Sequence, residues 1–185
     1  MHAVQRFEAN MITVIALAAG IAVIAVLLYA ATGPDGFRVE RRVEVRARPD
    51  LVFSLIDDFE QWLKWSPYEK RDPSMKRTRK GPGRGLGSAY AWESSKIGAG
   101  RMEIIESIAP SRIGIRLDFL RPFRARNIAE FTLAPDGSRT VVTWAMHGRR
   151  PYVAKLLAIF IDMDRVIGCD FEAGLASLKS IAEAG

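Results

Sequence analysis

A chain of 185 residues has room for one ordinary domain and an appendage. A single cysteine (Cys169) and two histidines (His2 and His147) exclude an internal disulfide and leave no cluster with metal-ligand spacing, so neither a metal nor another cofactor is expected. The 27 lysines and arginines against 21 acidic residues give a net charge of +6; residues 1–32 hold one arginine and one glutamate, so the surplus falls entirely on residues 33–185. Such a surface suits an anionic bilayer or a nucleic acid. No nucleic-acid motif is present, so the membrane is the expected partner.

After an N-terminal tail, residues 1–10, the stretch Met11–Ala31 runs for 21 residues without a charge. At about 1.5 Å per residue it reaches about 31 Å, matching a hydrocarbon core of about 30 Å. A secretory signal has an apolar core of about 7–15 residues and a small-x-small cleavage site. This stretch is longer, and Leu28-Tyr29-Ala30-Ala31-Thr32 is a poor site, so a retained single-pass transmembrane helix is expected. Arg6, with Glu8 close by, precedes the span, whereas Arg38, Arg41, Arg42, Arg46 and Arg48 follow it. The positive-inside rule then places the C-terminal domain in the cytoplasm.

Residues 32–36, Thr-Gly-Pro-Asp-Gly, form a breaker-rich hinge, and residues 37–185 form the domain. From Phe37 apolar and charged residues alternate as in a half-buried strand, spoiled by Arg41 on the apolar side. Pro49-Asp50 opens a helix whose spacing of Val52, Phe53, Leu55, Ile56, Phe59 and Leu63 carries it to about Lys64. The basic stretch from Glu69 to Gly87 is irregular. Strands are expected at Ser88–Glu93, Arg101–Ile108, Ile113–Leu120, Arg126–Leu133 and Thr140–His147, separated by turns such as Pro135-Asp136-Gly137. Finally Leu156, Phe160, Met163, Ile167, Phe171, Gly174, Leu178 and Ile181 recur every three or four residues, one helical stripe from Pro151 to about Glu183. A meander with one face to bury and a helix with one stripe to bury suggest an α+β fold, a curved antiparallel sheet wrapped around a long C-terminal helix.

Two stretches carry a family resemblance. Residues 49–67, PDLVFSLIDDFEQWLKWSP, resemble the opening helix of the START-like, polyketide cyclase/dehydrase superfamily (SRPBCC), and residues 162–175, DMDRVIGCDFEAGL, look like its closing helix. The resemblance covers about residues 37–183 and implies a helix-grip fold enclosing a hydrophobic cavity. Its members include lipid carriers, quinone-binding proteins, hormone receptors, co-chaperones and aromatase/cyclases, so it does not fix one chemistry.

The residues themselves offer little catalytic apparatus. The run Gly81-Pro82-Gly83-Arg84-Gly85-Leu86-Gly87 lacks the lysine and hydroxyl of a phosphate loop and reads as a flexible connection. His147 ends a strand on the face opposite Trp144, and Cys169 sits among apolar neighbours, which suggests a buried, inert thiol. Aromatic residues are the stronger signal. Trp62, Trp65, Tyr90, Trp92, Phe119, Phe123 and Trp144, with Met163 and Ile167 on the last helix, are the expected cavity residues. Tyr90 or Arg121 would orient a ligand, and Gly168 and Gly174 would thin the helix where volume opens. The basic stretch from Lys70 to Arg84, with Arg124 beside Phe123, is placed to touch headgroups. Together these features point to a membrane-anchored binding or carrier domain for a hydrophobic small molecule or lipid. A cyclase/dehydratase-type enzyme and an interaction module with a filled core are the alternatives.

Overall fold

The computed structural model describes residues 2–184, with side chains from Met11 onward; the side chains of the 1–10 tail, including Arg6 and Glu8, lie outside the described residues. The chain divides into two compact units, one holding the N-terminal segment to Asp35 with Arg150–Asp162, the other holding Gly36–Arg149 with the segment from Met163.

In the first unit, α1 (His2–Thr32) contains the Met11–Thr32 stretch, long and apolar enough to cross a membrane and with its most apolar window wholly exposed. Gly33-Pro34 cannot continue the helix. Its last carbonyls find local donors instead, with the Thr32 hydroxyl donating to Tyr29 O at 2.8 Å and Gly33 N to Ala30 O at 3.2 Å. A later helix of the same unit, Tyr152–Ala158, is treated below.

The second unit is a seven-stranded antiparallel sheet with helices on one face. Its strands are β1 (Gly36–Val45), β2 (Lys76–Lys80), β3 (Ala89–Ser94), β4 (Gly98–Ile108), β5 (Arg112–Arg121), β6 (Ala125–Asp136) and β7 (Arg139–Arg149). The spatial order is β1-β7-β6-β5-β4-β3-β2, so the first strand pairs with the last. Period-two alternation puts Val39, Val142, Trp144, Ala129, Phe131, Ile113, Ile115, Ile104 and Tyr90 on the helix side, all buried. This is the helix-grip arrangement that the strand order and terminal stripe suggest. The edge strand β2, Lys76-Arg77-Thr78-Arg79-Lys80, lies within the stretch read as irregular. Its charges carry no apolar alternation, and they also discourage edge-to-edge pairing.

The expected helix from Pro49 to Lys64 is split. In the chain's numbering of helices, α2 (Pro49–Ile56) stops where Asp58 turns the chain, accepting from Glu60 N at 2.8 Å. The chain resumes as α3 (Trp62–Trp65) and α4 (Pro67–Arg71). The break lets two tryptophans turn back: Trp62 Nε1 donates to Ile56 O and Trp65 Nε1 to Leu55 O, both at 2.8 Å and both buried. Each satisfies a carbonyl that the end of α2 leaves unpaired.

The expected single terminal helix is also two, α5 (Tyr152–Ala158) and α6 (Met163–Ala184), with a turn at Ile159–Ile161. Asp162 stands immediately before α6, a position that favours a short polar side chain. Burial of the stripe begins at Ile167, so the periodicity of Leu156, Phe160 and Met163 belongs to a different environment. Cys169, read as buried, is exposed because it lies off the buried line of Gly168, Phe171, Gly174, Leu175 and Leu178.

Both helix glycines are filled by side chains from the sheet. The Arg41 guanidinium lies against Gly168, where a Cβ would overlap it, and reaches Asp164 (2.9 Å) and Glu172 (2.7 Å). This accounts for the arginine that interrupts the β1 alternation: it faces α6 and clamps two of its turns. Hydrogen bonding to Arg41 holds the Asp164 carboxyl below the usual carboxylate range. At Gly174 the added Cβ would stand 2.8 Å from the Trp144 ring and 3.1 Å from Pro67. Neither can withdraw, whereas the end of Arg41 can. Gly174→Val should therefore lower stability by about 1–3 kcal/mol in thermal unfolding of the full chain, and Gly168→Ala by less; an unchanged midpoint for Gly174→Val contradicts this packing.

Candidate functional site

The helix-facing side of the sheet has a sealed part and a less covered one. In the sealed part Trp144 stacks on Phe171 of α6 (centroids 4.0 Å, 8° between planes) and on Phe131 (4.9 Å, 27°). Trp62 and Trp65, 4.7 Å apart, meet Phe131 and Trp144 edge-on. Phe59 adds a further edge contact to Trp62 at 5.4 Å. Three of the expected cavity residues, Trp62, Trp65 and Trp144, therefore stand together as an interlocked aromatic core. The volume that Gly168 and Gly174 were expected to open is taken by Arg41 and Trp144.

Toward β2 the interior is polar and paired. Glu69 of α4 is buried and accepts from Tyr90 Oη on one carboxylate oxygen and from Arg77 Nε on the other, at 2.8 Å. Burial and the Glu69 hydrogen bond push the Tyr90 hydroxyl well above its ordinary pKa, so it stays a donor. Beside it Asp72 accepts from Ser74 and Ser94 at 2.6 Å, and those bonds hold its carboxyl low. Every oxygen of the Glu69 carboxylate is engaged, which makes this cluster a fastening between α4 and the sheet edge. Tyr90 is thus committed to Glu69, and Arg121, the other expected orienting group, is exposed and paired with Glu93 at 2.6 Å.

The less covered part lies where β5, β6 and β7 run toward Phe119, Ala125 and Gly148. Leu117, Phe119 and Trp92 are half-buried there, with Trp92 and Phe119 edge-to-face at 5.8 Å. Trp92 crosses the sheet above Gly100, in space that a Cβ would claim. Ile167 of α6 is half-buried and packs on the core. Paired with Leu117 across β5 and β6 is Asn127, 7% exposed. Its Nδ2 has a weak contact to Met146 Sδ at 3.9 Å, and its Oδ1, lying where Gly148 has no side chain, has no hydrogen-bond partner. A buried acceptor without a donor is costly. Trp144 Nε1 is a second unpartnered buried group on the same face. Asn127 is the residue that aromatic counting misses. Its signal is a polar side chain at a core-facing position, in step with Ala129, Phe131 and Leu133.

Of the remaining expected residues, Phe123 is 67% exposed in the β5–β6 turn and Met163 is 38% exposed at the start of α6, so neither joins Trp92 and Phe119. Two concavities of the described residues are open grooves. One, of about 340 Å³, lies between Arg46–Leu51 and Ala182–Glu183. The other, of about 190 Å³, has Ala89 and Ala91 between Lys80, Arg101 and Arg116. His147 lies on the outer face, 3.9 Å from Glu130. No group of three or more His, Cys, Asp or Glu able to hold a metal occurs among the described residues.

The outer face is a lattice of charges. Asp118 accepts from Arg126 at 2.6 Å and Arg101 at 3.1 Å, with Arg116 at 3.9 Å. Arg116 also pairs with Glu103 at 2.5 Å. The Arg126 hydrogen bond, supported by Arg101, holds the Asp118 carboxyl below its ordinary value against the opposing effect of burial.

A family model described as "Polyketide cyclase / dehydrase and lipid transport" matches residues 36–183. No curated protein sequence matches the chain. Among solved structures, a Chromobacterium violaceum protein is 18% identical, covering 81% of this chain and 99% of its own, with a TM-score of 0.56. The Aha1 dimer from Colwellia psychrerythraea is 14% identical over 80% and 96%, TM-score 0.54. The di-domain ARO/CYC protein StfQ from the steffimycin biosynthetic pathway is 12% identical over 81% of this chain and 51% of its own, TM-score 0.62. At these identities the likeness is one of fold.

A carboxyl with a depressed pKa in the folded state stabilises the fold above its ordinary value, and that contribution is lost as pH falls through the depressed one. Asp118→Asn should therefore be less stable than the parent near neutral pH, the gap narrowing below about pH 4. Thermal unfolding across pH checks this; a gap that stays constant into acid contradicts the Asp118 assignment.

Proposed function

Because the chain belongs to the polyketide cyclase / dehydrase and lipid transport family, we propose that it is a membrane-anchored binding or carrier domain for a hydrophobic small molecule or lipid. The observation that carries the reading is Asn127: a buried amide oxygen without a donor, opposite Leu117 on the face that also carries the half-buried Phe119 and Trp92. A ligand with an apolar body and a hydroxyl or N–H at one end supplies what that arrangement lacks. Apolar burial at about 25 cal/mol per Å² gives the affinity, and the donor sets the orientation. The expected lining is then a subset of the aromatic set, Trp92 and Phe119 with Ile167, while Trp62, Trp65 and Trp144 act as the wall behind it.

Turnover has less support. The buried carboxylates Glu69 and Asp72 are already held, the first by Tyr90 and Arg77 and the second by Ser74 and Ser94, so among the described residues neither offers a free acid or base to the apolar side chains around Asn127. The packed aromatic core favours a second reading, an interaction module with a filled interior, and the two readings part on Asn127. Replacing a merely structural amide should cost stability. Replacing an unpaired acceptor by an apolar group of similar shape should be neutral or stabilising.

The test uses the purified full chain. Mass spectrometry of co-purifying lipids and thermal shifts with a fatty acid, a quinone and a sterol-like probe identify the ligand class. Asn127→Leu should keep or raise the midpoint without probe, while weakening the probe-induced shift to match an affinity loss of about tenfold. Empty protein with no shift from any probe rejects the carrier reading in favour of the filled module.

For location, the expectation is that α1 spans the membrane and the sheet domain lies in the cytoplasm, supported by the arginines following the span. Cys169, the sole and exposed thiol, reports on this directly. A membrane-impermeant maleimide should label it after permeabilisation and not in intact cells; labelling in intact cells places the domain outside.

A further inference from the structure

We infer that α5 and the turn after it, Tyr152–Ile161, form an interfacial segment that lies in the bilayer surface beside the end of α1. The inference rests on the reading that α1 spans a membrane, and it adds a second lipid-contacting element that the hydropathy of the chain does not single out.

The first observation is where α5 docks. Within the first unit, Tyr152 Oη donates to Leu27 O at 2.8 Å, Lys155 Nζ pairs with Asp35 at 2.6 Å, and Arg150 N donates to Asp35 O at 2.7 Å. These contacts run from inside the apolar stretch to just past its end at Thr32. Leu27 precedes Thr32 by five residues, which at about 1.5 Å each puts the Tyr152 hydroxyl about 8 Å within the span. A helix bound at that level of a transmembrane segment is at the depth of the headgroups and first methylenes, the depth of an interfacial helix.

The second observation is what α5 presents outward. None of its residues is buried. Val153 and Leu157 on the helix, and Ile159, Phe160 and Ile161 in the turn, are large apolar side chains left exposed, Phe160 at 78%. Lys155 is the sole charge between Arg150 and Asp162, and its side chain is turned in to Asp35. A contiguous apolar surface this dense, with its one cation folded away and a tyrosine at its start, is ill matched to water. It is matched to lipid, with Tyr152 and Arg150 at the polar edge. Lipid is the occupant because the patch continues the surface of a stretch that is itself exposed and apolar.

The periodicity of the sequence now has a second meaning. Leu156, Phe160 and Met163 keep step with the stripe of α6, yet Phe160 is the most exposed large apolar residue of the described chain. The pattern runs through a break at which apolar surface changes from core-facing to lipid-facing.

The test places an environment-sensitive NBD label on single cysteines in the full chain with Cys169→Ser as background. Phe160→Cys reports the turn, Ile21→Cys the middle of the span, and Ser138→Cys an exposed turn of the sheet. Each chain is reconstituted in vesicles of phosphatidylcholine and phosphatidylglycerol carrying nitroxide lipids labelled near the headgroup or deep in the acyl chain, and must keep the parent's unfolding transition. The expected result is a blue-shifted label at 160 quenched more by the shallow nitroxide, a label at 21 quenched more by the deep one, and a label at 138 quenched by aqueous iodide alone. If 160 behaves like 138 while 21 is quenched deeply, the interfacial segment is refuted and the span stands. If 160 is shielded from both iodide and nitroxide, protein covers the patch and the inference is refuted as well. If 21 is accessible to iodide, the span fails and the inference with it.

Discussion

The sheet domain depends on one contact, the stacking of Trp144 of β7 on Phe171 of α6. Parallel rings 4.0 Å apart bring the helix axis close to the sheet, and Gly174 makes that approach possible by leaving room for the edge of the indole. Trp62, Trp65 and Phe131 close around the same indole, so helix, sheet and the α2–α4 segment share one aromatic centre. The grip of sheet on helix is therefore a specific interdigitation of rings in addition to a general apolar match.

On the proposed carrier reading, that centre also decides where a ligand would fit. An interior plugged by five large rings and lined toward β2 by the Glu69–Tyr90–Arg77 cluster leaves apolar side chains half-covered at the Trp92–Phe119 end alone among the regions described above. Asn127 gains its interest from that neighbourhood. In the aromatic core an amide would be a defect, whereas beside half-buried apolar groups it can serve as the anchor that the proposed carrier reading assigns to it. The outer face, by contrast, has its charges paired across strands, Asp118 with Arg126 and Arg101, and Glu103 with Arg116, a pattern suited to solvated surface.

The first unit follows different physics. Its apolar surface is exposed where that of the sheet domain is buried, and its few polar groups are used to fasten α5 to the end of α1. Charge follows the same division: the first unit's Arg6, Arg150 and Lys155 are balanced by Glu8, Asp35 and Asp162, so the net +6 falls on the sheet domain.

What the sequence determined by itself was whatever repeats along the chain. Alternation in β1 and β3–β7 and the stripe of α6 are local periodicities, each turning one face toward the core, and the uncharged run of Met11–Ala31 is legible from composition and length alone. The helix-grip architecture followed because a meander and a single stripe have few other ways to cover each other. The edge strand β2 was invisible because its inward side chain is Arg77, paired with buried Glu69, and a strand of charges has no apolar alternation to read. The tertiary structure alone decided which apolar residues fill the core and which border open space. Trp62 and Trp92 are alike in sequence, but one is sealed by rings brought from residues 131 and 144, and the other lies over a glycine on the next strand. It decided as well that Arg41 clamps α6, that Cys169 faces outward, and that the terminal stripe breaks at Ile159–Ile161. Periodicity specifies a direction for each side chain, while the partner waiting in that direction comes from a distant part of the chain.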